Sequence, residues 1–278
     1  MRRIWDVIAN SFYRLVMEGG LELSGHMSFT TLFSLMPFLV VIVAVVGFLG
    51  DESSAQWVVN WMGELFPPYV AETLAPVAAD VLTARRADAL TIGLIASLWI
   101  ASSSVEALRH GLNTAYGVRE QRSFLFRRLQ ALGFVVGTGV IVFSVSFLLL
   151  ALPAVADFVE GKLSTEFPSV RRLSELRYFF AFGFIFGVTI FLHHFLPYLR
   201  TKWRIVWPGA LLSTVGSIVM IDLFSYYVKT SLANYSAIYG GLAGIIVTLL
   251  FFYVGTVIFL YGAFFNAALY RTFKGRNI

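Results

Sequence analysis

The chain has 278 residues, of which 58% are hydrophobic and only 13% charged, with a formal net charge of +5 and no cysteine. A soluble domain carries about 25% charged residues, so this surplus of apolar side chains excludes a soluble globular fold and implies a polytopic membrane protein. The absence of cysteine excludes disulfides and thiolate chemistry.

Residues 1–22 open the chain as an amphipathic helix. Ile4, Trp5, Ile8, Phe12, Leu15 and Val16 recur at helical spacing on one face, and Arg3, Asp6, Asn10 and Arg14 lie on the opposite one. No uniform apolar core or small-residue cleavage site follows Arg2 and Arg3, so a cleavable signal is not expected. Such a helix lies in a membrane interface or packs on the protein's own inner surface, and both placements can hold together.

Six membrane spans are predicted within residues 23–272. The first, about Ser24 to Gly50, carries Ser28, Thr30, Thr31 and Ser34 in one half. Its Pro37 removes a backbone hydrogen bond and predicts a kink. Residues 51–88 read as an outer helical hairpin: Trp57, Val58, Trp61, Met62 and Leu65 form one apolar stripe, Pro67 and Pro68 break it, and Val70, Leu74, Val77 and Val81 form a second. The second span runs from about Ala89 to Tyr116, the third from Leu129 to Val155 and the fourth from Tyr178 to Leu199. The fifth runs from Pro208, suited to a first helical position, to Val228. The sixth, Ala237 to Tyr270, holds 34 residues without a charge, longer than the roughly 20 a helix needs to cross a bilayer. Residues 273–278 form a short basic tail. With both termini in the cytoplasm, the inner segments hold 14 of the 21 basic residues, the bias that sets topology. The fold class is therefore all-α: six transmembrane helices, an N-terminal interfacial helix and an extracytoplasmic helical hairpin.

Ionisable groups inside a bilayer usually face a bundle interior or a water-filled cavity. Asp222 in the fifth span is followed by Ser225, Tyr226 and Lys229 on one stripe. It reads either as a proton, cation or substrate site or as a structural carboxylate. In the second span, Ser102, Glu106, Arg109 and Asn113 form a longer stripe at steps of four, three and four. His193 and His194 of the fourth span and Ser34 of the first reach a similar depth. Together these groups either line a polar cavity, as a transport pathway through Glu106, Arg109, His193, His194, Asp222, Tyr226 and Ser34, or serve as ion pairs and snorkelling side chains. Gly133/Gly137, Gly183/Gly187 and Gly240/Gly244 repeat the small-xxx-small spacing that lets helices approach closely, and are expected to pack within the bundle. The four histidines lack the spacing of a zinc set, and no metal or cofactor is expected. The segment REQRSFLFRR interleaves Phe124 and Phe126 with arginines; an anionic-lipid contact beside a span accounts for it, and no nucleic acid is implied. A homo-oligomer and an envelope protein partner are both compatible with the sequence.

The stretches TTLFSLMPFLVVIVAVVGFLG, LRHGLNTAYGV, RRLQAL, FLPYLRTKWRIVWPGALL and YSAIYGGLAGIIVTLLFFYVGTVIFLYGAFFNAAL, in that order and spacing, resemble the YihY / virulence factor BrkB family over about residues 5–272. The resemblance implies a six-helix protein of the bacterial inner membrane with an external segment after the first span. It also implies a link to envelope functions, including transport of lipid-like substrates. The ribonuclease BN label once given to the family is expected to be a misassignment, since the sequence lacks the clustered histidines and aspartates a metal-dependent nuclease needs. In the family the last span carries G-A-E-x-N. Here Gly262, Ala263 and Asn266 match, but Phe264 stands at the Glu position, which puts a mechanism based on that carboxylate in doubt. The expected function is a non-enzymatic transporter or exporter of a lipid-like or small amphiphilic substrate. The alternative is an envelope scaffold that binds a partner through residues 51–88.

Overall fold

The computed structural model describes residues 2–49, 87–141, 177–198, 203–239 and 242–274. Among them are seven helices and no strand: α1 (Arg2–Met17), α2 (Gly20–Leu49), α3 (Ala87–Tyr116), α4 (Phe124–Ile141), α5 (Arg177–Phe195), α6 (Trp203–Tyr239) and α7 (Ala243–Lys274). A helix thus lies over each of the six apolar stretches. Among the described residues, α4, α6 and α7 contain the windows long and apolar enough to cross a membrane. The predicted hairpin, residues 51–88, lies almost wholly outside the described residues.

Three boundaries differ from expectation. Helix α6 begins at Trp203, so Pro208 sits inside it rather than at its first position. A proline there removes one N–H and clashes with the carbonyl four residues back, and a side chain from α7 intervenes at this turn. The sixth stretch is not one helix: Ala237–Tyr239 finish α6 and α7 starts at Ala243. Residues 240 and 241, a Gly240–Gly241 pair, lie outside the described residues. Helix α4 starts at Phe124, earlier than Leu129, because Ser123 caps it: the Phe126 N–H donates to Ser123 Oγ at 3.4 Å, the side-chain-to-N3 bond typical of an N-cap. Helix α2 continues through Pro37.

Helix α7 is the centre of the bundle and packs against α6, α2, α1 and α3, while α2 packs most extensively on α3. The buried core joins Leu15, Met27, Val105, Leu112, Tyr116, Leu260 and Phe264. Apolar burial gives little drive between helices already in lipid, so close packing and interhelical hydrogen bonds carry association. The tightest crossing joins α6 to α7 at Gly209 and Gly262. A Cβ on either glycine would overlap the other's backbone, and on Gly262 also Ser213 Oγ. Gly111 similarly lets α3 reach Met27 and Leu260. By contrast, Gly133, Gly137, Gly183 and Gly187 have open space where a Cβ would be. The spacing that suggested packing there meets no described neighbour. Gly240 lies outside the described residues, and Gly244 is half-buried at the start of α7.

A polar pin reinforces the α6–α7 crossing. Asn266 is fully buried. Its Oδ1 accepts from the Gly209 N–H at 2.7 Å, and its Nδ2 donates to the Val206 carbonyl at 2.8 Å and to Tyr116 Oη at 3.2 Å. The side chain thereby services the turn that Pro208 disturbs and ties it to α3.

Candidate functional site

One end of the bundle collects α1, the start of α2, the ends of α3, α5 and α7, and the starts of α4 and α6. Its geometry begins with Gly117. At φ 71° it takes the left-handed conformation that glycine adopts without steric cost. The Val118 N–H bonds the Asn113 carbonyl at 2.9 Å, and the Gly117 N–H bonds that of Thr114 at 3.0 Å. This paired pattern is a Schellman ending. It closes α3 and turns residues 118–123 back over the helix, against the ends of α4 and α5.

The result is an arginine-rich layer. The Arg109 side chain is only 1% exposed and pairs with Glu106 one turn earlier. It also donates to the Arg127 carbonyl at 3.3 Å and to Gln130 Oε1 at 3.2 Å. The second Glu106 oxygen lies 3.8 Å from Arg127. Arg122 grips Glu120 with Nε and Nη2, both at 2.7 Å, and donates to Gln130 Oε1 and the Leu196 carbonyl, both at 2.8 Å. Asn113 donates to Glu120 at 3.0 Å and accepts from the Tyr198 N–H at 2.8 Å. Arg128 lies 3.9 Å above the Trp99 ring and donates to the Trp99 carbonyl at 2.8 Å. Burial alone would raise the Glu120 carboxyl, but hydrogen bonds from Arg122 and Asn113 outweigh it and hold the group at about 2. Four guanidiniums face two carboxylates here, and the Nε groups of Arg109, Arg127 and Arg128 are buried without a hydrogen-bond partner.

The other predicted residues are dispersed around this layer. His193 is buried on α5, its Nδ1 2.9 Å from the Thr189 carbonyl and its ring centred 4.5 Å from that of Phe259. Its Nε2 is buried without a hydrogen-bond partner. His194 stacks on Trp203 at 4.1 Å. Ser34 donates to the Ile100 carbonyl at 3.1 Å, joining α2 to α3. Asp222 and Tyr226 are exposed on α6, Tyr226 at 71%, and are not brought to the arginine layer. Phe264 is buried beneath Arg14, whose guanidinium sits 5.4 Å from the ring centre. Arg14 takes its carboxylate from Glu18 instead, at 2.6 and 2.7 Å.

Sequence reasoning found Glu106, Arg109 and Asn113 through their helical spacing. It read REQRSFLFRR as a lipid-facing basic segment, whereas Arg122 and Arg128 within it turn inward. It missed Glu120 and Gln130 as partners. The only local signal was Glu120 two residues before Arg122. Among the described residues, no three His, Cys, Asp or Glu side chains converge as a metal site.

The sequence pattern of a family described as Virulence factor BrkB matches residues 11–277. A ribonuclease-like protein of Bacillus subtilis (strain 168), YfkH, is 31% identical over 268 residues, covering 95% of this chain and 94% of its own. A UPF0761 membrane protein of Tolumonas auensis is 27% identical, covering 96% of this chain and 88% of its own. Another, from Albidiferax ferrireducens, is 25% identical over 95% of this chain and 62% of its own. No solved structure matches.

Proposed function

The chain belongs to the virulence factor BrkB family of membrane proteins, and on that premise we propose that it moves a lipid-like or small amphiphilic substrate across the bacterial inner membrane, with both termini in the cytoplasm. The observation that carries this reading is the buried Arg109 layer. An ionisable side chain buried within a membrane bundle is costly and is by default a functional-site candidate. Buried donors without partners call for an explanation, and unfilled N–H groups in a layer with an excess of positive charge suit an anionic headgroup in transit. Charge-assisted bonds from arginine to carboxylate or phosphate are the strong ones. Glu106 holds Arg109 in the resting state and is the group that would exchange partners. The sequence has no Walker-type phosphate loop, so an ion gradient or the substrate's own gradient supplies the energy.

The test is transbilayer movement in proteoliposomes. Fluorescent lipids with an anionic and with a zwitterionic headgroup are compared, with Glu106→Gln and Asp222→Asn variants. The anionic probe moves faster than in empty vesicles. Glu106→Gln slows it by about tenfold or more, the worth of one charge-assisted hydrogen bond, at unchanged protein content. Asp222→Asn leaves it nearly unchanged. If Glu106→Gln lowers protein content and movement in step, the layer is structural, and a scaffold acting through residues 51–88 becomes the better account. The name of YfkH adds a control: purified protein with RNA and a divalent cation gives no cleavage above buffer, and metal-dependent turnover would replace transport with nuclease chemistry.

A further inference from the structure

We infer that α1 is a three-sided helix whose free apolar side is seated in the lipid of the leaflet at its own end of the bundle, so that it docks on the protein and on the membrane at once. At about 100° per residue, its side chains divide into three stripes. Val7, Ser11, Arg14 and Leu15 form the first, and all are buried. This side meets α7 and α2, with Arg14 over Phe264. The second stripe, roughly 120° around the helix, is Trp5, Ile8, Phe12 and Val16. These are exposed, Trp5 at 68% and Phe12 at 61%. The third carries Asp6 and Asn10 near its middle, with Tyr13 and Met17 farther along, all exposed.

A helix on a soluble surface needs only two sides, one docked and one polar. The apolar stripe here covers no described part of the protein, and its depth says what covers it. Phe264, the docking point, precedes Arg271 by seven residues on α7, which is about 10 Å along the helix axis. Amphipathic helices bury their apolar face about 5–10 Å into the boundary between headgroups and acyl chains. The aromatic side chains Trp203 and Trp207 are exposed at the same end, on α6, as expected of a belt at a membrane–water interface. The first turn of α4 adds exposed Phe124 and Phe126. The occupant is therefore lipid, with the Asp6–Asn10 side turned to water.

The absence of cysteine makes the test direct. Phe12→Cys, Val16→Cys, Asp6→Cys and Asn10→Cys, all at exposed positions, are made singly in the full chain. Each is spin-labelled and reconstituted in nanodiscs of mixed phosphatidylethanolamine and phosphatidylglycerol. The ratio of collision rates with oxygen and with a water-soluble nickel chelate reports depth. Labels at 12 and 16 give ratios at least about threefold above those at 6 and 10, as expected for a helix lying at the boundary. Equal ratios at all four positions would overturn the inference. So would protection of positions 12 and 16 from both reagents, which would mean that a second copy or another protein covers the stripe. Two probes on each side keep the outcome independent of any one variant's folding.

Discussion

Arg122→Ala removes the side chain that joins the turn after α3 to α4 and α5. Arg122 makes two charge-assisted bonds to Glu120, both at 2.7 Å, and neutral-acceptor bonds to Gln130 and Leu196, both at 2.8 Å. Both partners of the ion pair are largely buried, the side chains being 14% and 17% exposed. Truncating one member of a buried pair costs about 3–5 kcal/mol because the other is stranded. Access to solvent at this end of the bundle favours the lower figure. About 3 kcal/mol is more than a hundredfold in the folding equilibrium and should lower Tm by roughly 6–10 °C for a chain of this size. The same change alters the pH response. The Glu120 carboxyl is held at about 2 against an ordinary value of 4.5. Its contribution, about 2 kcal/mol after allowance for solvent screening, is fully present above its unfolded value and is lost as pH falls toward 2. Thermal melts in nanodiscs from pH 6 to pH 3 should show the native chain losing stability on acidification and Arg122→Ala losing far less, from a lower start. A Tm within 2 °C of the native chain, with the same acid slope, would refute the reasoning.

Three further outcomes follow from the same geometry. Asn266→Ala strands the Gly209 and Val206 backbone groups and should cost about 2–4 kcal/mol. In a double-mutant cycle with Tyr116→Phe the two sites should couple by about 0.6 kcal/mol or more, measured by unfolding in mixed micelles; full additivity would exclude the contact. Gly262→Ala drives a methyl group into Ser213 and the Gly209 backbone and should destabilise by about 1–3 kcal/mol. Gly183→Ala, which meets open space, should lie within about 0.5 kcal/mol of neutral or gain slightly, and a large loss there would reveal a neighbour. Phe264→Glu places a carboxylate under Arg14; in nanodisc melts it should unfold within a few degrees of the native chain and Phe264→Gln, without the charge, should unfold lower, and the reverse order would exclude pairing with Arg14.

The parts legible in the sequence are those set by local periodicity. The apolar stretches gave the helices, and the three-residue step from Glu106 to Arg109 gave their pair, because one turn of helix fixes that geometry whatever surrounds it. The rest depends on contacts between residues far apart. Nothing near Arg122 indicates that the Leu196 carbonyl, 74 residues later, will be its acceptor. The glycines divide in an instructive way among the described residues. Gly-xxx-Gly picked out Gly133 and Gly183, which face open space, while the tight crossing uses Gly209 and Gly262. The broader small-xxx-small rule would have found Gly209 with Ser213 four residues on, since a hydroxyl also permits close approach. Asp222 stood out by charge, but charge on a helix does not reveal which way its face turns.

The Asn266 pin has a consequence for how the protein is made. Helices α6 and α7 are neighbours in the chain and can meet at Gly209 and Gly262 as soon as both have emerged from the ribosome. That hairpin supplies Asn266 with the Gly209 N–H and the Val206 carbonyl, but the second Nδ2 proton finds its acceptor on Tyr116, 150 residues earlier. Until α3 is in place beside them, the last hairpin carries an unmet donor in lipid. Helix α7 is therefore checked against α3, and this part of the bundle closes only once both are in place.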